Sequence, residues 1–237
     1  MTTSKEQDTI EVLDGAGFVR MDEYLGGDLS VVNSARVSFG TKREKLGKRD
    51  VKLINYLADN EHMSPFRHTY IKFHFRAPEY VARQLYKHSI GVELTSSEQF
   101  KDMPWNEISG RYVVLPPKFY TPIKFRKQSS DNKQASTDEE VADPAKCAWL
   151  YKEALNKSYD MYEKLLLEGV AKEQARGVLP VCFITEWYWT MSLEAAVHLV
   201  RLRDHKHAQY ETRVYGKAVY ELLNKIAPVS VAKLLER

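Results

Sequence analysis

HTYIKFHFRAPEYVARQLYKHS, residues 68–89, changes its period in the middle, and that change decides the fold. Up to residue 76 the side chains alternate, with Ile71, Phe73 and Phe75 on one face and Tyr70, Lys72, His74 and Arg76 on the other, the pattern of a half-buried strand. Pro78 suits the first turn of a following helix, where its missing N–H costs nothing, and Val81, Leu85 and His88 then recur at helical spacing. A strand with one wet face running into a helix predicts the α/β (α+β) class.

Upstream, loose alternation over residues 10–25 with turn glycines Gly15 and Gly17 predicts a strand or hairpin. Asp28 is placed to cap a helix through residue 38, and Val51, Ile54 and Leu57 mark another over residues 48–60. Downstream, residues 91–104 are expected as a loop and residues 112–115 as a short β-like run, broken by Pro116-Pro117. Residues 124–143, which contain RKQSSDNKQASTDEE, are expected as a polar surface loop. A long helix is expected over 144–176, a strand over 183–189, and helices over 193–204 and 207–226. No repeat interrupts residues 1–237, which are expected to form a single domain.

With 43% hydrophobic residues and a net charge of +3, the chain reads as a soluble globular protein. That charge is too small for a dedicated nucleic-acid binder, so no nucleic-acid partner is expected. Cys147 and Cys182 form neither a metal pair nor a disulfide framework, and no metal site is expected. No apolar signal segment or membrane-length run stands out, so a cytoplasmic protein with no membrane partner is expected.

Certain residues carry chemistry. On the wheel of the helix after Pro78, His88 joins the apolar face and Gln84 flanks it, which reads either as a buried histidine bonded to a backbone carbonyl or as a ligand contact. In the helix after Ser192, Leu193, Ala196 and Val200 define an apolar face that also receives Arg203 and His207. A buried guanidinium needs a carboxylate or an anionic ligand, since leaving it unpaired costs several kcal/mol. His198 falls on the opposite side. Residues 105–112 combine Glu107, Ser109, Gly110 and Arg111 in a loop able to hold a nucleotide, the arginine as a fork for phosphate and the glycine for close backbone approach. No G-x-G-x-x-G, P-loop, H-E-x-x-H or hydrolase elbow is present. Ser109 lacks an evident base and reads as a binding hydroxyl.

In order, five segments resemble the flavin-dependent thymidylate synthases. His62-Met63-Ser64-Pro65-Phe66-Arg67-His68 is similar to that family's H-x-[ST]-P-F-E-H, and Ala77-Pro78 with Ala82-Arg83-Gln84 to its A-P-x-x-V-A-R-Q. Asn106-Glu107-x-Ser109-x-Arg111-Tyr112 is similar to the second half of its signature region. Ala175-Arg176-x-Val178-Leu179-Pro180 and the run from Leu202-Arg203 to His207-Ala208-Gln209 complete the set.

The resemblance implies an α/β fold with a central, mostly antiparallel sheet and flanking helices, assembled as a homotetramer with active sites at subunit interfaces. It also implies the conversion of dUMP to dTMP with FAD, 5,10-methylenetetrahydrofolate as carbon donor and NADPH as reductant. It implies dUMP contacts at Gln84, Lys87, Glu107, Ser109, Gly110, Arg111, Arg176 and Arg203, with Arg203 as the catalytic cation at the uracil. Flavin contacts are implied at Ser64, Lys87, His88, Ser89, Glu107, Ser192, His198 and His207, and His62 belongs to the folate/NADPH region.

The chain also departs from the pattern. Lys87-His88-Ser89 stands where the family has R-H-R, residues 91–104 are an insertion within the signature motif, Arg67 replaces a glutamate and Glu194 an arginine. Arg67 or Lys101 is the candidate to compensate for the lost cations. Synthases that lack flavin activate the ring with a cysteine followed by histidine, whereas Cys182 here precedes Phe183. The alternatives are a related flavin/folate-dependent pyrimidine-nucleotide enzyme, such as a hydroxymethylase, or a non-catalytic nucleotide- or RNA-binding homologue.

Overall fold

The computed structural model describes residues 8–88, 104–205 and 208–236. The chain opens with strands β1 (Asp8–Val12) and β2 (Gly17–Leu25), then helices α1 (Asp28–Arg36) and α2 (Lys48–Asp59), and strand β3 (Tyr70–Pro78) running directly into α3 (Glu79–Tyr86). Strand β4 (Trp105–Glu107) and the pair β5 (Arg126–Gln128) and β6 (Ser136–Glu140) precede helices α4 (Pro144–Leu167) and α5 (Lys172–Ala175). Strand β7 (Ile184–Ser192), α6 (Leu193–Arg203), α7 (Tyr210–Ile226) and α8 (Pro228–Leu235) follow.

The main sheet has the order β1-β2-β3-β7-β4 with every neighbouring pair antiparallel, and β5 and β6 form a separate two-stranded ladder. The alternation in residues 70–76 decides which face is covered. Ile71, Phe73 and Phe75 are fully buried, and they join Val19, Trp187 and Trp189 from the neighbouring strands in one core with Val81 and Leu85 of α3, Leu193 and Leu199 of α6 and Tyr215 of α7. Phe75 stacks on Trp187 with centroids 5.0 Å apart, and Trp105 of β4 stacks on the same indole at 4.6 Å. Each such aromatic contributes roughly 2–3 kcal/mol on burial. The opposite face carries Arg20, Lys72, His74 and Tyr188, with His74 stacked on Tyr188.

Several elements differ from their expected form. Residues 112–115 make no strand, because Tyr112 and Val113 donate back to the Ser109 carbonyl as a turn; the neighbouring strand is β4, paired to β7 through Trp105↔Trp189. The helix expected over 144–176 stops at Leu167, where Gly169 takes a left-handed φ of 81° and restarts the chain toward α5. Residues 124–143 keep a polar, mostly exposed surface but carry the β5–β6 hairpin. Asp28 does not cap α1, whose N-cap is Gly27. Its carboxylate instead accepts from the Val229 and Ser230 N–H groups and the Ser230 hydroxyl, satisfying the start of α8. Among the described residues no helix is long and apolar enough to cross a membrane. The insertion expected at 91–104 lies outside the described residues except for Pro104.

Candidate active site

Helix α3 is the wall on which the site is built. Pro78, the last residue of β3, leaves the first N–H groups of α3 open, and the Phe183 and Val181 carbonyls accept from Glu79 and Tyr80 at 2.9 and 3.0 Å, tying the helix to the chain entering β7. On one side of α3 lies a cavity of about 490 Å³ lined by Glu79, Arg83, Glu107, Ser109, Gly110 and Arg176 among others. Both oxygens of Glu107 are held, Oε1 by the Thr185 hydroxyl at 2.6 Å and Oε2 by the Trp105 indole N–H at 3.0 Å. Burial, and then the charge of Glu107, push the Glu79 carboxyl above its ordinary range.

The loop after β4 is positioned from behind by α4. Tyr162 accepts from the Leu115 N–H and Tyr159 donates to the Leu115 carbonyl, while Ser158 donates to the Val178 carbonyl next to Arg176. Gly110 is buried there, and a Cβ on it would lie 2.8 Å from Leu115 Cδ1 and 3.1 Å from Arg176 Cδ. The close approach expected of this glycine is therefore to the arginine's own stem. Arg111 points outward, 3.7 Å from Glu173 with both side chains more than half exposed.

The other side of α3 faces α6 and α7. Arg203 is half-buried at the end of α6, as its position on the apolar face predicted, and donates from Nη2 to the Gln84 carbonyl at 3.0 Å. Among the described residues no carboxylate pairs with it, and its Nε is buried without a partner. An unsatisfied donor of this kind costs about 1–3 kcal/mol, which a ligand acceptor can recover. The Gln84 amide is fixed at both ends, Nε2 donating to Gln209 Oε1 at 2.5 Å and Oε1 accepting from Thr212 at 2.9 Å.

Next to this seam His88 is 4% exposed and donates from Nε2 to the Ala195 carbonyl at 3.1 Å. Burial, with His198 and Arg203 nearby, pushes its pKa down to about 4, so the ring is neutral at pH 7 and Nδ1, which has no partner among the described residues, is a bare acceptor. That orphaned acceptor fits a ligand offering a ring N–H or a hydroxyl, as a flavin does. His198 lies 5.3 Å from His88, accepts from Arg201 at 2.8 Å and is depressed by burial and by Arg201. Ser192 caps α6, its hydroxyl accepting from the Ala195 N–H. Lys87 is exposed at the end of α3, Ser64 is exposed, and His62 stacks on Tyr56 at 6.2 Å. Ser89, His207 and Lys101 lie outside the described residues.

Two departures turn out to be one exchange. Arg67, in place of the motif's glutamate, pairs with Glu194, which stands where arginine is common. Arg67 is thereby committed to a carboxylate rather than left to replace the cations lost at Lys87 and Ser89. Cys182 is 4% exposed and burial pushes its thiol up, which leaves it a poor nucleophile.

The sequence reading missed Glu79, whose position is polar and unremarkable in a first helical turn. It also missed Gly216, where a Cβ would lie 2.9 Å from the Asp204 nitrogen and 3.0 Å from the Arg203 carbonyl carbon. A helical glycine seven residues past a quoted motif was the available signal.

A polar cavity lies against one wall of α3, and against the other stands a half-buried arginine that pairs with no carboxylate among the described residues, an arrangement able to receive a polar, anionic small molecule. The family described as "Thymidylate synthase complementing protein" matches residues 21–229. A flavin-dependent thymidylate synthase of Thermus thermophilus is 40% identical over 228 residues, covering 96% of this chain and 78% of its own length. Another from Kosmotoga olearia is 38% identical over 227 residues, covering 95% and 93%. Among solved structures, the UMP/dUMP methylase PolB from Streptomyces cacaoi bound with 5-Br dUMP superposes with a TM-score of 0.79 at 27% identity, covering 93% of this chain and 95% of that one. The chain belongs to the flavin-dependent thymidylate synthase family.

Proposed function

We propose that this chain is a methyltransferase that makes dTMP from dUMP, with FAD bound, 5,10-methylenetetrahydrofolate as carbon donor and NADPH as reductant. The reading rests above all on Arg203, a half-buried guanidinium that no carboxylate among the described residues neutralises. Uracil C5 is a poor nucleophile, and a cation held at the ring carbonyls stabilises the negative charge that develops as C5 attacks the one-carbon unit. Ser109, Gly110, Arg111 and Arg176 take the nucleotide's phosphate end, with Gln84, Lys87 and Glu107 completing its contacts. Low dielectric around Arg203 strengthens its field at the uracil.

His88, His198, Ser192, Ser64, Lys87 and Glu107 would hold the flavin, together with Ser89 and His207, and His62 would meet the folate or NADPH. When bound, the flavin supplies the hydride that completes the methyl group. Neutral His88 accepts at Nδ1 and excludes a second positive charge beside Arg203. The two sides of α3 face different directions within one chain, which supports a homotetramer whose subunits complete each other's sites. The enzyme works in the cytoplasm, without membrane or nucleic-acid partners.

The deciding experiment combines purified, flavin-loaded protein with dUMP, methylenetetrahydrofolate and NADPH, and reads the product by mass. A methylated nucleotide is expected, with UMP run in parallel because the structural neighbour is named for both nucleotides. A hydroxymethylated product, or a colourless protein that takes up no FAD, would sink the reading. Growth of a thymidine-requiring bacterium on the expressed chain tests it independently.

A further inference from the structure

The β5–β6 hairpin reaches the seam that holds Gln84. Arg126 of β5 donates from Nη2 to Glu211 Oε1 at 2.6 Å, stacks over Tyr210 with 4.3 Å to the ring centroid, and is held by the Ser136 hydroxyl of β6 at 2.9 Å. The Arg126 and Glu211 side chains are 14% and 5% exposed, unlike the hairpin's other charged pair, Lys127 and Glu139, which lies in solvent. Glu211 Oε2 accepts from Gln209 Nε2 at 3.0 Å, and Gln209 is the residue that receives Gln84 Nε2.

The polarity of this chain of bonds follows from its charged end. A carboxylate only accepts, so Gln209 must turn its nitrogen toward Glu211 and its oxygen toward Gln84. Gln84 must then turn its nitrogen toward Gln209 and its oxygen toward the buried Thr212, whose hydroxyl donates at 2.9 Å. One N–H of Gln84 is left over, in a fixed direction. The carboxylate is the group that enforces the order, and Tyr80 of α3, Tyr120 of the preceding loop and Tyr151 of α4 also feel its charge; burial first, and then Glu211, push the Tyr80 and Tyr120 phenols up. Arg126 holds Oε1 of that carboxylate, which leaves Oε2 turned toward Gln209 and fixes where the order begins.

We propose that Arg126 is a positioning residue for the nucleotide: through Glu211 and Gln209 it sets which atoms of the Gln84 amide the nucleotide meets. The hairpin is then part of the binding machinery rather than a passive surface feature. This rests on the reading that Gln84 contacts dUMP.

The test uses the flavin-loaded full chain, with calorimetric titration of dUMP and steady-state kcat and KM. R126M is expected to weaken dUMP binding about tenfold with kcat within roughly two-fold. R126K, which keeps the cation, is expected to recover affinity to within about three-fold. In a Q84A background R126M should add nothing further, because the effect runs through Gln84. If R126M fails to fold, E211Q tests the same link from the other side, since an amide no longer dictates how Gln209 turns. Wild-type dUMP affinity in these variants, or the full tenfold loss repeated on top of Q84A, would overturn the proposal. If Q84A itself binds dUMP like the wild type, the nucleotide contact is refuted, and the positioning role with it.

Discussion

The two sides of α3 hold their polar groups in different ways. On the cavity side Arg111 and Glu173 stand 3.7 Å apart in solvent, Arg176 is exposed, and Ser109 makes only a turn. On the α7 side Thr212 is fully buried, Glu211 is 4% exposed and each Gln84 amide atom has a partner. Exposed charges contribute long-range attraction and adapt to a ligand, and salt screens them. Buried, fully bonded dipoles are already oriented when the ligand arrives, and that suits the end of the molecule where charge develops during reaction. On the proposed reading, recognition and polarisation of the nucleotide are separate jobs given to separate walls of one helix.

The largest test of that division is Arg203→Ala. It should lower kcat by about 10²–10³ while circular dichroism stays that of the folded protein, as expected for a charge-stabilising donor. Near-normal turnover would remove Arg203 from the chemistry. Arg176→Ala should act on the other quantity, raising KM for dUMP roughly ten- to a hundred-fold with little change in kcat; a fall in kcat alone would erase the contrast.

Gly216→Ala sharpens the comparison by pressing on the backbone and Cβ of Arg203 rather than on its charged end. The new methyl meets backbone at Arg203 and Asp204, so α6 and α7 must part; a loss of about 1–3 kcal/mol in denaturant unfolding is expected. Unchanged stability would show that the seam is not tightly packed.

His88 supplies a pH dependence. Its ordinary value is 6.5 and the folded value is about 4, so as pH falls from 6.5 to 4 the unfolded chain takes up a proton that the folded chain refuses. Stability contributed at neutral pH is lost across that window and the slope levels off below it. In thermal melts His88→Gln should lose less Tm over the same window than the wild type, by on the order of 5 °C; parallel curves would disprove the buried neutral imidazole. The smallest effect belongs to the exchanged pair. Glu194→Arg should cost about 1 kcal/mol or less by breaking the contact with Arg67, and Arg67→Glu with Glu194→Arg should restore the melting temperature. A double variant less stable than either single one would mean the exchange is not self-contained.

Much of this was legible from periodicity. The alternation before Arg76 marked the covered sheet face, and the wheels placed His88 and Arg203 inward because each shares a face with residues that proved buried. Arg176 is distant in sequence from Glu107, Ser109 and Gly110, and only the ordered motifs linked it to them before the cavity did. What stayed hidden is long-range pairing between side chains of ordinary helical or loop composition. Nothing local shows that Asp28 serves α8, that Arg67 meets Glu194, or that Arg126 in a polar stretch reaches Glu211. β4 escaped because three residues are too short for a period, and Trp105 joins the sheet by stacking on Trp187.

The carboxylate of Asp28 joins residues 201 and 202 positions apart in the chain. Synthesis makes α1 long before α8 exists, so the acid waits through most of translation with its partner N–H groups not yet made. Closing a loop of that length carries a large entropic cost and places this contact late in folding. The last described helix is thus capped by a residue of the first, and the protein reaches its final form only after almost all of the described chain has left the ribosome.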